Sequence, residues 1–211
     1  MAGQISADPA WKRLYRAGGF SLILAGILFI VNLPLLLIVG PPPTSGEAAL
    51  AIVAAQNLLF RTSNGIFIAS GILFIPAVLA LYLALKELDR EYALIASGLA
   101  AVAIPIFQTT NMLNYSITGV NNAAVAGLVL GVSRAGDTIS VLLFSIAVLI
   151  WGVIMRKGVF SKGAAYLGVL TGVVGIISSI PIPAIGLIGL FSLVLFAIWF
   201  LAIGSKLYKL G

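Results

Sequence analysis

Residues 164–204 read AAYLGVLTGVVGIISSIPIPAIGLIGLFSLVLFAIWFLAIG, 41 positions without one charged side chain. As a single α-helix, at about 1.5 Å per residue, this stretch would be about 60 Å long, twice the roughly 30 Å of a bilayer's hydrocarbon core. It therefore has to turn. Pro181-Ile182-Pro183 is the one strong breaker near its middle, because proline lacks an N–H and pushes its predecessor out of the helical region. The stretch thus reads as two membrane spans, 164–180 and 184–204, with lipid as their solvent.

The chain upstream has the same character. Across 211 residues, 61% are hydrophobic and only 9% charged, and the mean hydropathy of +1.18 lies outside the range of water-soluble domains. A first span covers 18–40. It is too long for the apolar core of a secretory signal, about 7–15 residues, and reads as a retained signal-anchor. Pro41-Pro42-Pro43 ends it, and Thr44-Ser45-Gly46-Glu47 has capping-box spacing ahead of a short amphipathic helix over 48–56. A second span covers 65–85, with a kink expected at Pro76. Lys86-Glu87-Leu88-Asp89-Arg90-Glu91 is a charged hairpin connection into a third span, 92–115, whose last third turns polar. Residues 119–136 are small and apolar, opened by Asn121 and Asn122 and closed by Arg134, and read as an interfacial or re-entrant segment before a fourth span, 138–155. The expected fold is a single polytopic domain over 1–211, an all-α integral membrane protein with six transmembrane helices.

Charge supplies the orientation. With the N-terminus inside, Lys12, Arg13, Arg16, Lys86, Arg90, Arg156, Lys157, Lys162, Lys206 and Lys209 are all cytoplasmic, ten of the twelve basic residues; Arg61 and Arg134 are the other two. Trp11, Tyr15, Tyr82, Tyr92, Trp151, Tyr166, Trp199 and Tyr208 map to the same inner interface as an aromatic belt. Both patterns require an even number of spans, with the N- and C-termini in the cytoplasm. The net charge of +6 is spread between apolar runs rather than gathered on a solvated face, so nucleic acid is not an expected partner.

The chain has no cysteine and no histidine, which removes thiolate nucleophiles, imidazole bases and the metal sites built on those ligands. No phosphate-binding, dinucleotide or nucleophile-elbow motif is present. Of the six acids, Glu87, Asp89 and Glu91 interleave with Lys86 and Arg90, and none of the six falls inside an expected span, which argues against a carboxylate proton relay. No catalytic residue, cofactor or metal site is expected.

Polar side chains collect toward the outer side: Asn32, Asn64, Gln108, Asn111, Asn114 and Tyr115 form the candidate cluster, centred on span three. Amides in lipid are costly unless they meet a partner or water. The cluster reads either as an outward polar cavity or as hydrogen-bonding glue between helices. Arg134 and Asp137, three apart, would form an intramembrane ion pair only if span four extended back through Ala123; otherwise they sit at the outer headgroups. Ala164, Gly168, Gly172 and Gly175 make a small-residue stripe for close helix packing, within the chain or against a partner. A faint repeat, Ala25 to Ile30 against Ser70 to Ile75, carries little weight in so biased a composition.

The basic lead into Gly18-Gly19-Phe20, the proline- and Glu47-containing first loop, Ala80-Leu81-Tyr82-Leu83-Ala84-Leu85, Gly158-Val159-Phe160 and Leu167-Gly168-Val169-Leu170-Thr171-Gly172 together resemble the prokaryotic multi-pass membrane family catalogued as domain of unknown function 4386. The resemblance covers nearly the whole chain and implies six spans in the cell membrane with no established activity. The expected function is that of a non-enzymatic accessory or assembly subunit packed against other membrane proteins or itself. The alternative is a carrier or pore for a small neutral or weakly polar solute.

Overall fold

The computed structural model describes residues 9–158, 160–180 and 186–211. The expected Pro181-Ile182-Pro183 turn, the start of the last span at Ala184 and the lead before Pro9 lie outside the described residues. Within them the chain is helical, without strands. After a 3₁₀ turn at Pro9–Trp11, six α-helices follow: α1 Lys12–Val39, α2 Gly46–Leu85, α3 Arg90–Ser116, α4 Ala123–Met155, α5 Lys162–Ser178 and α6 Gly186–Leu210. Five of these are long and apolar enough to cross a membrane; α5, with 17 residues, is shorter.

Local signals place the ends. Ser45 accepts a hydrogen bond from Ala48 N at 3.2 Å, Ser161 from Ala164 N at 3.2 Å, and Asn122 from Ala124 N at 2.8 Å, each supplying a helix N-cap. The expected helix after the first loop forms, but it runs on into the next span. Its one non-helical residue is Gln56 (φ −141°, ψ 38°), so the helix breaks there, while the backbone stays helical through Pro76. The interfacial or re-entrant reading of 119–136 is corrected. Beyond the 3₁₀ turn Ile117–Gly119 and the Asn122 cap, nothing between Ala123 and Met155 breaks the helix, and the segment joins α4, 33 residues and about 50 Å long.

Each helix packs against its neighbours in sequence, and α1 closes the ring onto α6, while α2 also reaches across to α4. The turns at one end, here the terminal end, gather the start of α1 and the end of α6 with the basic connections, and Lys157 Nζ there meets Asp89 Oδ2 at 2.9 Å. The other end is called the far end. Two cores result. The large one runs along the axis and is filled by aromatics. Phe74 meets Phe200 at 5.1 Å and Phe144 at 5.3 Å between ring centroids, and Phe29 at 6.1 Å, so the two faintly repeated segments touch. The small one, Ala49, Val53, Phe60, Ile117 and Ala126, lies at the far end, where the first segment of α2 packs on the start of α4. A Cβ on Gly46 would overlap the backbone of Ala123, so only glycine permits that crossing.

The expected aromatic belt needs a second correction. Trp11, Tyr92, Tyr166 and Tyr208 are exposed as a belt demands, but Tyr15, Trp151 and Trp199 are fully buried. The two indoles stack at 6.3 Å with planes 12° apart, so they serve the core.

Candidate functional site

The polar cluster is best built from the phenylalanines beneath it. On α1 the buried positions Tyr15, Gly18, Leu22, Ala25, Phe29 and Asn32 recur every three or four residues, one stripe facing the bundle axis. Phe29 on that stripe meets Phe67 of α2 at 5.6 Å, and Phe67 meets Phe107 of α3 at 5.8 Å. Moving one helical turn toward the far end from each replaces phenylalanine with an amide: Asn32, Asn64 and Asn111. The same step on α4 leads from Phe144 to Ser140 and then to Asp137, and on α6 from Phe196 to Ser192. The antiparallel register that sets Gly26 against Ala197 carries Asn32 to the level of Ser192. Five helices thus each contribute a polar side chain to one layer, resting on an aromatic floor.

Most members of the layer are consumed in helix contacts. Asn64 Nδ2 donates to Phe60 O at 2.8 Å and Asn111 Nδ2 to Phe107 O at 2.7 Å, both within their own helices. Gln108 Nε2 bridges α3 to α2 by donating to Ile68 O at 2.8 Å, its side chain filling the space beside Gly71. Ser133 Oγ donates to Asn114 Oδ1 at 2.7 Å, tying α4 to α3, and Arg61 Nη2 donates to the Tyr115 hydroxyl at 2.7 Å. The glue reading therefore describes Gln108, Asn114 and Tyr115.

Asn32 behaves differently. It has no exposed surface, and neither its Nδ2 nor its Oδ1 has a hydrogen-bond partner; Gln108 Oε1 and Ser192 Oγ are likewise buried without one. Buried amide groups in folded proteins are nearly always paired, since an unpaired one forfeits its solvation. Single unpaired atoms occur nearer the terminal end too, on Trp151, Trp199, Ser145 and Thr171, but among the described residues Asn32 is the one side chain with two buried polar atoms unpaired.

Asp137 was not expected in the bundle. It lies on the inward stripe Ser133, Asp137, Ser140, Phe144 of α4, and its Oδ1 accepts from Thr110 Oγ1 at 2.7 Å, with the Asn114 side chain as a second neighbour. The conditional ion pair with Arg134 does not form: Arg134 reaches instead to the Pro43 carbonyl, and no basic side chain pairs with Asp137 among the described residues. The sequence signal that could have found Asp137 was its spacing of seven from Phe144, masked by the glycines around it.

Below the layer a cavity of about 70 Å³ is lined by Phe29, Phe74, Phe107, Phe144, Phe196 and Phe200, with Ser140 at its edge. An open groove of about 200 Å³ at the terminal end, between the start of α5 and the end of α6, carries Lys206 and Lys209. The small-residue stripe is used internally: a Cβ on Gly168 would lie 2.7 Å from Trp199 Nε1, one on Gly172 2.7 Å from Leu149 N, and Gly175 backs onto Ser145 and Phe196. Ala164, at the head of the stripe, is half-buried. No His, Cys, Asp or Glu group able to hold a metal ion occurs among the described residues. Compared with protein-family models, curated proteins and solved structures, the chain matches none.

Proposed function

We propose that this chain is a six-span plasma-membrane protein with both termini cytoplasmic, acting as a non-enzymatic accessory or assembly subunit; membership of the family catalogued as domain of unknown function 4386 is part of the same proposal. The six spans rest on counting α5, whose 17 residues extend about 26 Å, nearly the hydrocarbon thickness. The orientation rests on the clustering of basic residues at the terminal end.

The observation that carries the subunit reading is the overrun of α4. Leu128 lies 27 residues from Met155, about 40 Å along the helix, more than the roughly 30 Å core. Yet Leu128 is 73% exposed, and Leu58 on the adjoining part of α2 is 78% exposed. Large aliphatic groups beyond the hydrocarbon fit contact with a neighbouring membrane protein or a second copy better than contact with water. Gentle-detergent purification from the native membrane, followed by sizing and mass spectrometry, tests this. A stoichiometric partner, or a homo-oligomer, that dissociates on Leu128→Glu is expected; a monomer unaffected by that change would overturn the reading.

The unpaired Asn32 amide favours a second reading, a carrier for a small polar solute that passes the far layer. Flux in reconstituted vesicles that is abolished by Asn111→Leu is its expected signature.

A further inference from the structure

We propose that the far half of the bundle holds a binding site for a short-chain alkylammonium ion, its charged head in the polar layer against Asp137 and its alkyl tail in the phenylalanine-lined cavity below. The site goes beyond the subunit reading and does not depend on it.

The charge sign follows from what the layer still offers. Asn64 and Asn111 each spend one amide N–H on their own helices. Left unpaired at this level are Asn32 Nδ2 and Oδ1, Gln108 Oε1 and the Ser192 hydroxyl, beside the Asp137 carboxylate, which accepts from Thr110. A carboxyl inside a helical bundle is neutralised by a proton or by a counter-charge, and within the described residues no basic side chain meets Asp137, so a bound cation would hold it ionised. The two nearest basic residues, Arg61 and Arg134, sit one turn farther out and are turned to Tyr115 and the Pro43 carbonyl. An ionised Asp137 disfavours an anion, and a cation gives it the partner that a neutral alcohol does not.

The shape of the ligand follows from the floor. Phenylalanine faces carry negative quadrupole potential, so the floor attracts a cation seated at its rim and accepts methylene groups below. The cavity of about 70 Å³ admits a tail of only one to a few carbons. Asn32, on the same face as Phe29 and one turn above it, is placed to turn its free oxygen toward the head.

The test uses the full-length protein in nanodiscs, titrated with ethylammonium chloride and read by tryptophan fluorescence, since Trp151 lies 6.3 Å from Phe144 at the cavity, and by the thermal midpoint. Ethanol supplies the tail without the charge, sodium chloride the charge without the tail, and tetraethylammonium chloride a head too large for the layer. A saturable response to ethylammonium alone is expected, with the apparent affinity weakened about tenfold or more by Asp137→Asn and several-fold by Asn32→Leu. No saturable response, or an equal response to ethanol or tetraethylammonium, would overturn the proposal; an equal response to sodium would overturn the role of the aromatic floor. Should Asp137→Asn fail to fold, Asn32→Leu decides, because unchanged affinity there contradicts the site. Leu128→Glu is expected to leave ethylammonium binding unchanged, so failure of the subunit reading and failure of this one are separable.

Discussion

The two halves of the bundle solve the same packing problem with different materials. Toward the terminal end, helices meet through glycine and indole. Gly152 approaches so closely that an added Cβ would stand 2.6 Å from Val169 N, and Trp199 lies in the space that a Cβ on Gly168 would need. Toward the far end, helices meet through amides, hydroxyls and one carboxylate, around a cavity. The contrast teaches where rigidity and where chemistry reside. Without a hydrophobic driving force between helices in lipid, close backbone approach and dispersion hold the first half together. The second half retains amides, hydroxyls and a carboxyl, and its Asn32 has no partner at either side-chain atom.

The largest test of that contrast is Trp199→Ala. It empties a fully enclosed site in the terminal half and should cost about 3–5 kcal/mol of unfolding free energy in mixed-micelle titrations; a cost below about 1 kcal/mol would erase the distinction between the halves. Gly152→Ala should destabilise by about 1–3 kcal/mol, because its new methyl group meets backbone rather than a flexible side chain. In the far half the sign should reverse. Asn32→Leu removes an unpaired amide at nearly constant shape and is expected to stabilise the fold by about 1–3 kcal/mol in the same assay. If it destabilises as Gly152→Ala does, the Asn32 amide holds the fold together and the distinction between the halves is lost.

The smallest effect lies in the connections at the terminal end. The Lys157 ammonium, hydrogen-bonded to Asp89, holds that carboxyl below its ordinary value of 3.8, and the carboxyl also accepts from Tyr92 N. A carboxyl depressed in the folded state contributes stability above its unfolded pKa, and that contribution is lost as pH falls through the lower folded pKa. The thermal midpoint of the wild type should therefore decline slightly more than that of Asp89→Asn between pH 5 and about pH 3. Parallel curves would show the pair to be without effect, as exposed pairs often are.

Much of the architecture is legible in the sequence. The ends of α3 fall within two residues of the expected span, because a capping Asp89 and the fading of apolar character are local signals. The run 123–136 was misread because its glycines lower hydropathy without breaking the helix; the Asn122 cap, and the seating of Gly46 on Ala123 and of Gly136 on Thr110, hold it in α4. Trp151 and Trp199 were misassigned because an indole suits an interface and a core equally well, and only a facing helix decides which it meets. The cluster itself was half legible. Its amides stand out in the sequence, but Asp137, Ser140 and Ser192 do not, since a single acid or serine has no meaning until its level in the bundle is known.

The sequence by itself determined the solvent, the helices, the end at which the basic residues gather and the absence of imidazole and thiol chemistry. These follow from hydropathy, capping and composition, which act over a few neighbouring residues. Only the tertiary structure decided that Asn32, Asn64, Asn111, Asp137 and Ser192 share one layer above a phenylalanine floor. Those residues come from five helices spread over 161 positions of the chain, and their common level depends on the register between helices, set by glycine contacts and aromatic packing that no local window contains.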